Sequence, residues 1–271
     1  VQRPYGITAN PEVKPKAIFV SAFSTAPLAA DTEYVLRDEF EHIQTAVNAL
    51  GKLTDGGVHF SLNSSNYSGT PFHKIENVIP HVFTGKHPAG NVGVQIHHIS
   101  PIRKGETVWT VSLLMLAAIG KLFNTGKYDL KRKIAVTGPK ANNPAYVEGY
   151  PGIAIKDVAD FYNASEDLRF VSGDVLTGTN VGKDGYLGFY DNQITILEEG
   201  DKYEMFGWAK PFRPALFSSS RTYFSWLTPK KKYAMDTNLH GGPRAFVVND
   251  VYGKVLPMDL YPVHLLKACL A

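Results

Sequence analysis

The stretch His81-Val-Phe-Thr-Gly-Lys-His-Pro-Ala-Gly-Asn-Val-Gly-Val-Gln-Ile-His-His-Ile-Ser-Pro101 decides how this chain is read. Its first half is turn-forming: Gly85, Gly90 and Gly93 permit positive φ or close backbone approach, and Pro88 fixes one φ between them. After Gly93, the residues Val94, Ile96 and His98 alternate with Gln95, His97 and Ile99, which predicts a half-buried strand. Gly85 and Gly90 have the spacing of a phosphate loop. Asn91-Val92 stands where Lys-Ser/Thr is required, however, so no lysine is in place for the β- and γ-phosphates. His81, His87, His97 and His98 raise the question of a metal. No helical His-x-x-x-His and no nearby carboxylate completes a site, and neighbouring strand residues point to opposite faces. The four read as structural or turn histidines, and no metal is expected.

Working outward, strands and helices alternate. Residues 1–15 carry Pro4, Pro11 and Pro15 and read as an extended entry segment. Lys16–Ala22 and Val58–Leu62 have strand length and composition. Between them Asp31 or Thr32 caps a helix whose apolar face is Leu36, Phe40, Ile43, Val47 and Leu50, stopped by Gly51. Thr107 is placed to cap a helix over Val108–Phe123, apolar nearly all round and closed by Gly126. Arg132–Thr137 is a further strand and Ile155–Phe161 a short helix. This pattern predicts an open Rossmann-like α/β layer over residues 16–166. Ligands of such sheets sit beyond the carboxyl ends of the strands, here the loops Phe23–Ala30 and Gly138–Pro144. No Gly-x-Gly-x-x-Gly occurs, so no dinucleotide is expected there.

The character changes near Asp167. Arg169–Gly178, Tyr186–Leu197 and Met205–Ala209 are strand-rich and punctuated by glycine, which predicts a small β-grasp module over 167–210. Residues 211–271 read as a β-rich segment, with Ala245–Val248 a strand and the turn Asn238–Arg244 before it, ending in a truncated helix. The fold class is therefore α/β with a β-rich second part.

Composition is that of an ordinary globular protein: 271 residues, 44% hydrophobic, 20% charged, net charge +3. The single cysteine, Cys269, excludes an internal disulfide framework and an all-cysteine cluster within the chain. No segment has the length and apolarity to span a bilayer, and no signal peptide is evident. The start at Val1 and the end inside the amphipathic segment Leu260–Ala271 suggest a fragment of something longer.

Lys202, Lys210, Arg213, Arg221, Lys230, Lys231 and Lys232 stand against Glu204 alone, with Phe212, Phe217, Tyr223, Phe224 and Trp226 among them. Such interleaving suits nucleic acid, an anionic membrane surface, an acidic partner or simply a solvated face. No nucleic-acid motif supports the first. There is no Gly-x-Ser-x-Gly elbow, and Ser218-Ser219-Ser220 reads as a loop. Asp38, Glu39 and Glu41 read as solvated, and Cys269 as a small hydrophobe. The residues by themselves show no catalytic constellation. A stand-alone α/β enzyme with an unseen site and a basic nucleic-acid-binding module both stay open at this level.

One resemblance goes further. Lys16-Ala-Ile-Phe-Val-Ser-Ala with Pro27-Leu-Ala-Ala30, His81–His97, Ala118–Phe123 with Thr125-Gly126, Asn142-Asn-Pro144, Val171–Gly178, Phe206-Gly-Trp208 and Val255–Asp259 resemble, in order, the A subunits of the Na+-translocating NADH:quinone oxidoreductases. The resemblance implies a Rossmann-like layer followed by a β-grasp (SLBB-like) module. It also implies a protein without a cofactor of its own, flavins and iron–sulfur centres residing in partner subunits. It further implies a peripheral place on the cytoplasmic face of the bacterial inner membrane, against the quinone-side membrane subunit, and no nucleic acid. The family is linked with quinone binding. A quinone needs an apolar or aromatic wall and one or two donors. Two groups of residues qualify: Arg3, Pro4 and Tyr5, and the loop of His87, Pro88 and Gly90 with His97.

Overall fold

The structure is a computed structural model and describes residues 1–66, 69–158, 167–202, 204–210, 212–218, 221, 223–238 and 245–270. It divides into two compact units, 1–133 with 249–271, and 134–248.

The first unit is a five-stranded sheet with helices on both faces. Its elements run β1 (Gln2–Arg3), β2 (Ile18–Ser21), α1 (Thr32–Leu36), α2 (Phe40–Leu50), β3 (Val58–Asn63), β4 (Ile79–Phe83), α3 (Val92–Ile99), β5 (Val108–Thr110) and α4 (Leu113–Thr125). The order across the sheet is β1-β5-β2-β3-β4. β5, β2, β3 and β4 are mutually parallel, and β1 is antiparallel on β5. The chain passes from β2 to β3 and β4 in one direction, then returns to lay β5 on the other side of β2. The carboxyl ends of β2 and β5 thus form a topological switch point.

β2 and β3 are buried along nearly their whole length, as expected of central parallel strands covered on both faces. Ile18, Val20, Val58, Phe60 and Leu62 face α1, α2 and α4. Ala17, Phe19 and Val108 face α3, which inserts Ile96 with Val92 and Ile99 beside it. Asp31 caps α1 as the sequence predicts, its carboxylate accepting from the backbone N–H of Glu33 and Tyr34. Gly126 closes α4 at φ 70°.

Three expectations give way here. The predicted strand after Gly93 is the helix α3. Val92, Ile96 and Ile99 are spaced four and three apart, and that helical stripe is the one that docks on Phe19 and Val108. The predicted helix over 108–123 begins as strand: Val108–Thr110 is β5, and the helix starts at Leu113. Its cap is Ser112, whose Oγ accepts from Met115 N–H, and not Thr107. Glu39 is not solvated. It pairs with Lys121 at 2.8 Å, and both side chains are about four-fifths covered.

The second unit holds a mixed sheet of order β7-β6-β10-β8-β9, built from β6 (Arg132–Thr137), β7 (Ala145–Gly149), β8 (Leu168–Ser172), β9 (Thr179–Asn180) and β10 (Gln193–Glu198), with the one-turn helix α5 (Ile155–Val158). β10 is parallel to β6 and antiparallel to β8. Arg132–Thr137, assigned from sequence to the first layer, therefore pairs in the second sheet. Its apolar residues Ile134 and Val136 pack with Ile155, Phe170, Leu187, Ile194 and Ile196. Met205–Ala209 is not a strand but a turn ending in the 3-10 segment Gly207–Ala209. Ala245–Val248 forms no strand, and 211–238 carries none among the described residues. Residues 159–161 of the expected helix, Ser219, Ser220 and most of the turn before Ala245 lie outside the described residues. The final helix α6 (Pro262–Leu270) belongs to the first unit, and Cys269 is exposed on it, not packed in a core.

Candidate functional site

Two sequence-distant segments, 21–25 and 87–95, meet at the carboxyl end of β2. The Thr25 hydroxyl accepts from Gly90 N–H at 3.0 Å and lies 3.2 Å from His87 Nδ1. The Thr25 hydroxyl is thus shared between the Gly90 amide and the His87 ring. Nε2 has no partner among the described residues. Below this, Ser21 Oγ donates to Gly90 O at 3.0 Å. The Gln95 amide nitrogen, on the first turns of α3, donates to Ser21 Oγ at 2.9 Å and Ala89 O at 3.1 Å. Gln95 is fully enclosed, and its Oε1 has no hydrogen-bond partner. Gly90 is required by this clasp: a Cβ there would stand 2.7 Å from Thr25 N and 2.9 Å from Thr25 Oγ1. Phe23 and Phe83, both half-buried, lie on the chain segments that lead into the clasp.

The other predicted residues are elsewhere. Arg3 pairs with Val108 on β5, so Pro4 and Tyr5 continue past the amino end of that strand. Tyr5 stands on the turn closed by Gln2 and Ile7 and is 82% exposed, while Arg3 Nε is enclosed without a partner. Both Arg3–Pro4 and His87–Pro88 are cis. His97 lies near the carboxyl end of α3, about 7.5 Å along the helix from its first residue, Val92, and toward the amino end of the sheet. Its Nε2 accepts from Asp259 N–H at 3.3 Å, and His98 Nε2 donates to Pro257 O at 2.7 Å. The structure thus joins His87, Pro88 and Gly90 to Thr25, Ser21 and Gln95, and separates them from Arg3, Pro4, Tyr5 and His97. Of the two loops expected to frame a crevice, Phe23–Ala30 takes part. Gly138–Pro144 belongs to the second unit.

A second pairing of side chains has little local signal in the sequence. His59 stacks on Phe19 with ring centroids 4.6 Å apart, and its Nδ1 lies 2.8 Å from His81 Nε2 on the neighbouring strand. His59 and His81 are 22 residues apart, and only the parallel register of β3 and β4 brings them together. Burial, and for His59 also the charge of His81, holds both imidazoles below their ordinary pKa. Neutral rings are therefore favoured in the fold, whereas the unfolded chain takes up protons at the ordinary value. The pair's stability is complete above about pH 6.5 and is lost as pH falls through the folded values. A thermal midpoint lower at pH 5 than at pH 7.5 is expected. The double variant His59→Phe, His81→Phe keeps the ring stack and should lose less over the same interval. An equal loss in the variant would assign the acid sensitivity to other groups. Among the described residues no cluster of three or more His, Cys, Asp or Glu side chains is placed to hold a metal ion, and no helix is long and apolar enough to cross a membrane.

A parallel α/β sheet with a loop clasp at its carboxyl edge, followed by a small mixed β unit, defines a class of two-part α/β proteins, and similarity to known proteins narrows it. Residues 1–128 match the family described as the NqrA second alpha/beta domain, and residues 133–183 the NQRA C-terminal domain of SLBB type. The chain belongs to the NqrA family, the A subunits of the Na+-translocating NADH:quinone reductases. It is 39% identical over 268 residues to the A subunit of the Na(+)-translocating NADH-quinone reductase of Rhodopirellula baltica, covering 98% of this chain and 58% of that one. It is 36% identical over 270 residues to the corresponding protein of Yersinia pestis bv. Antiqua, covering 99% and 60%. It is 35% identical over 266 residues to that of Neisseria meningitidis serogroup A, covering 98% and 59%. The chain thus spans about three fifths of the length of these curated relatives. A likeness to an NAD+-reducing [NiFe]-hydrogenase, at TM-score 0.46 and 14% identity over 70% of this chain and 41% of that one, is too loose to bear on function.

Proposed function

We propose that this chain works as part of a Na+-translocating NADH:quinone reductase, as a component without a cofactor of its own that supports quinone reduction by its partners. The observation that carries this is the similarity to curated NqrA proteins along 98–99% of the chain, through both units. In this reading the chain is peripheral on the cytoplasmic face of the bacterial inner membrane. It docks on the quinone-side membrane subunit, and NADH, flavins and iron–sulfur centres belong to other subunits.

Within the chain we assign the quinone contact to the His87–Gly90 clasp. His87 Nε2 is the ring nitrogen left to meet a quinone carbonyl, because Thr25 engages Nδ1. Phe23 and Phe83 lie on the flanking segments to supply apolar wall. Arg3, Pro4, Tyr5 and His97 lie toward the other end of the strands, beyond the reach of the same headgroup. Titration of the chain with a water-soluble quinone, followed by tryptophan fluorescence and corrected for quinone absorbance, tests this. Saturable binding is expected, weakened about tenfold by His87→Ala, the worth of one hydrogen bond of roughly 1–1.5 kcal/mol. Tyr5→Ala and His97→Ala should leave it unchanged. Weakening by Tyr5→Ala alone would move the contact to the entry turn. No saturable binding would confine the role of the chain to assembly.

A further inference from the structure

The second unit carries a surface that neither core uses. Phe212 packs edge-on against Phe224 at 5.7 Å between centroids, and Phe224 against Trp226 at 6.5 Å. The three rings form a continuous ladder, yet Phe212 is 81% exposed and Trp226 49%, with Leu227 beside them at 61%. Such side chains are ordinarily the first to be buried, and several in contact on one surface mark an interaction site.

The ladder is built, not accidental. Ser218 N–H donates to Ser225 Oγ at 2.9 Å, Tyr223 O–H to Phe217 O at 2.9 Å, and the Lys231 ammonium to Pro214 O. Phe217 packs on Tyr233 at 5.9 Å. These contacts pin 212–218 against 223–233.

Charge identifies the occupant. Residues 204–235 carry six basic side chains and one acidic, Glu204, and that one is engaged by Lys210 and Arg213. Lys230 and Lys232 are exposed and have no carboxylate partner among the described residues. A polynucleotide would use open ring faces as stacking platforms. Here the rings pack edge-to-face on one another, and Arg213 lies 5.6 Å over the Tyr223 ring. Exposed Phe and Trp on a surface rich in lysine suit the boundary between headgroups and acyl chains.

We propose that the aromatic and basic surface around Phe212, Phe224, Trp226, Leu227, Lys230 and Lys232 docks on an anionic lipid surface. The inference does not rest on the quinone contact or on the partner subunits, and its test needs neither.

The test is co-sedimentation of the chain with vesicles of phosphatidylglycerol and phosphatidylcholine, against vesicles of phosphatidylcholine alone. Binding to the anionic vesicles is expected, weakening with added salt. Lys230→Glu with Lys232→Glu should reduce the partition coefficient by about tenfold or more, the effect of losing two surface-facing cations. Phe212→Ser with Trp226→Ser should reduce it at about 0.5 M salt, where charge is screened and ring insertion remains. Both variants should keep the thermal midpoint of the parent, since neither pair contributes to a core. Equal binding to neutral and anionic vesicles, or binding undiminished in either variant, would overturn the proposal. So would binding to polyuridylate in a chain that does not sediment with anionic vesicles.

Discussion

Gly120→Ala is expected to destabilise the first unit by about 3 kcal/mol or more, although alanine is the better helix former by about 1 kcal/mol. The reason is the crossing of α2 and α4. A Cβ at position 120 would stand 1.7 Å from the carbonyl oxygen of His42 and 2.4 Å from its carbonyl carbon. These are backbone atoms of a helix, so no rotamer change relieves the clash and the helices must separate. Separation would loosen Ile43, Ala46, Val47, Leu116 and Ala117, all buried at that contact. It would also strain the largely covered pair Lys121–Glu39, which bridges the same two helices. Urea denaturation should show a lower midpoint for the variant. A raised midpoint would mean that propensity wins and that the helices can part without loss.

Ile196→Ala is expected to cost about 2–5 kcal/mol, and Ile196→Val about 0.5–1.5 kcal/mol. Ile196 is fully buried on β10, opposite Phe170 on β8, with Ile134, Val136, Ile155, Leu187 and Ile194 in the same cluster. β10 sits between β6 and β8, so the backbone is held on both sides and cannot collapse into the space left by a truncated side chain. The cavity term should therefore be near its full size. Denaturation midpoints of the two variants, with unchanged dependence on urea, check the ratio. Near-equal midpoints for alanine and valine would mean that the second core is loosely packed at its centre.

Much of the first unit was legible because it obeys local rules. The apolar run Ile18–Val20 and the alternating Val58, Phe60 and Leu62 suit buried strands. Asp31 is a cap by chemistry, and Ile43 and Val47 repeat on one helical face. The second unit was less so. Arg132–Thr137 reads as a strand, but nothing local says which sheet it joins. Its partner is Gln193–Glu198, about sixty residues on.

The stretch from His81 to Pro101 shows the division most clearly. Val94, Ile96 and His98 alternate, and Val92, Ile96 and Ile99 repeat at helical spacing. Eight residues satisfy both periods, and the sequence cannot choose between them. The choice is made by β4 and β5. They are parallel to the same strands on opposite sides of β2, so the chain between them must cross one face of the sheet, and a helix does that while satisfying its own backbone. The same crossover carries Gly90 and His87 to Thr25, and Gln95 under them. His59 and His81, unrelated in sequence, meet by strand register. What the sequence determined by itself was composition, caps, core stripes and the kinship of the chain, all carried by residues near one another or in fixed order. Only the tertiary structure decided which histidine leaves a ring nitrogen free, which is spent on backbone and which are held below their ordinary pKa. Those properties are set by groups that lie 22 to 162 residues apart in sequence and come together only when the sheet is assembled.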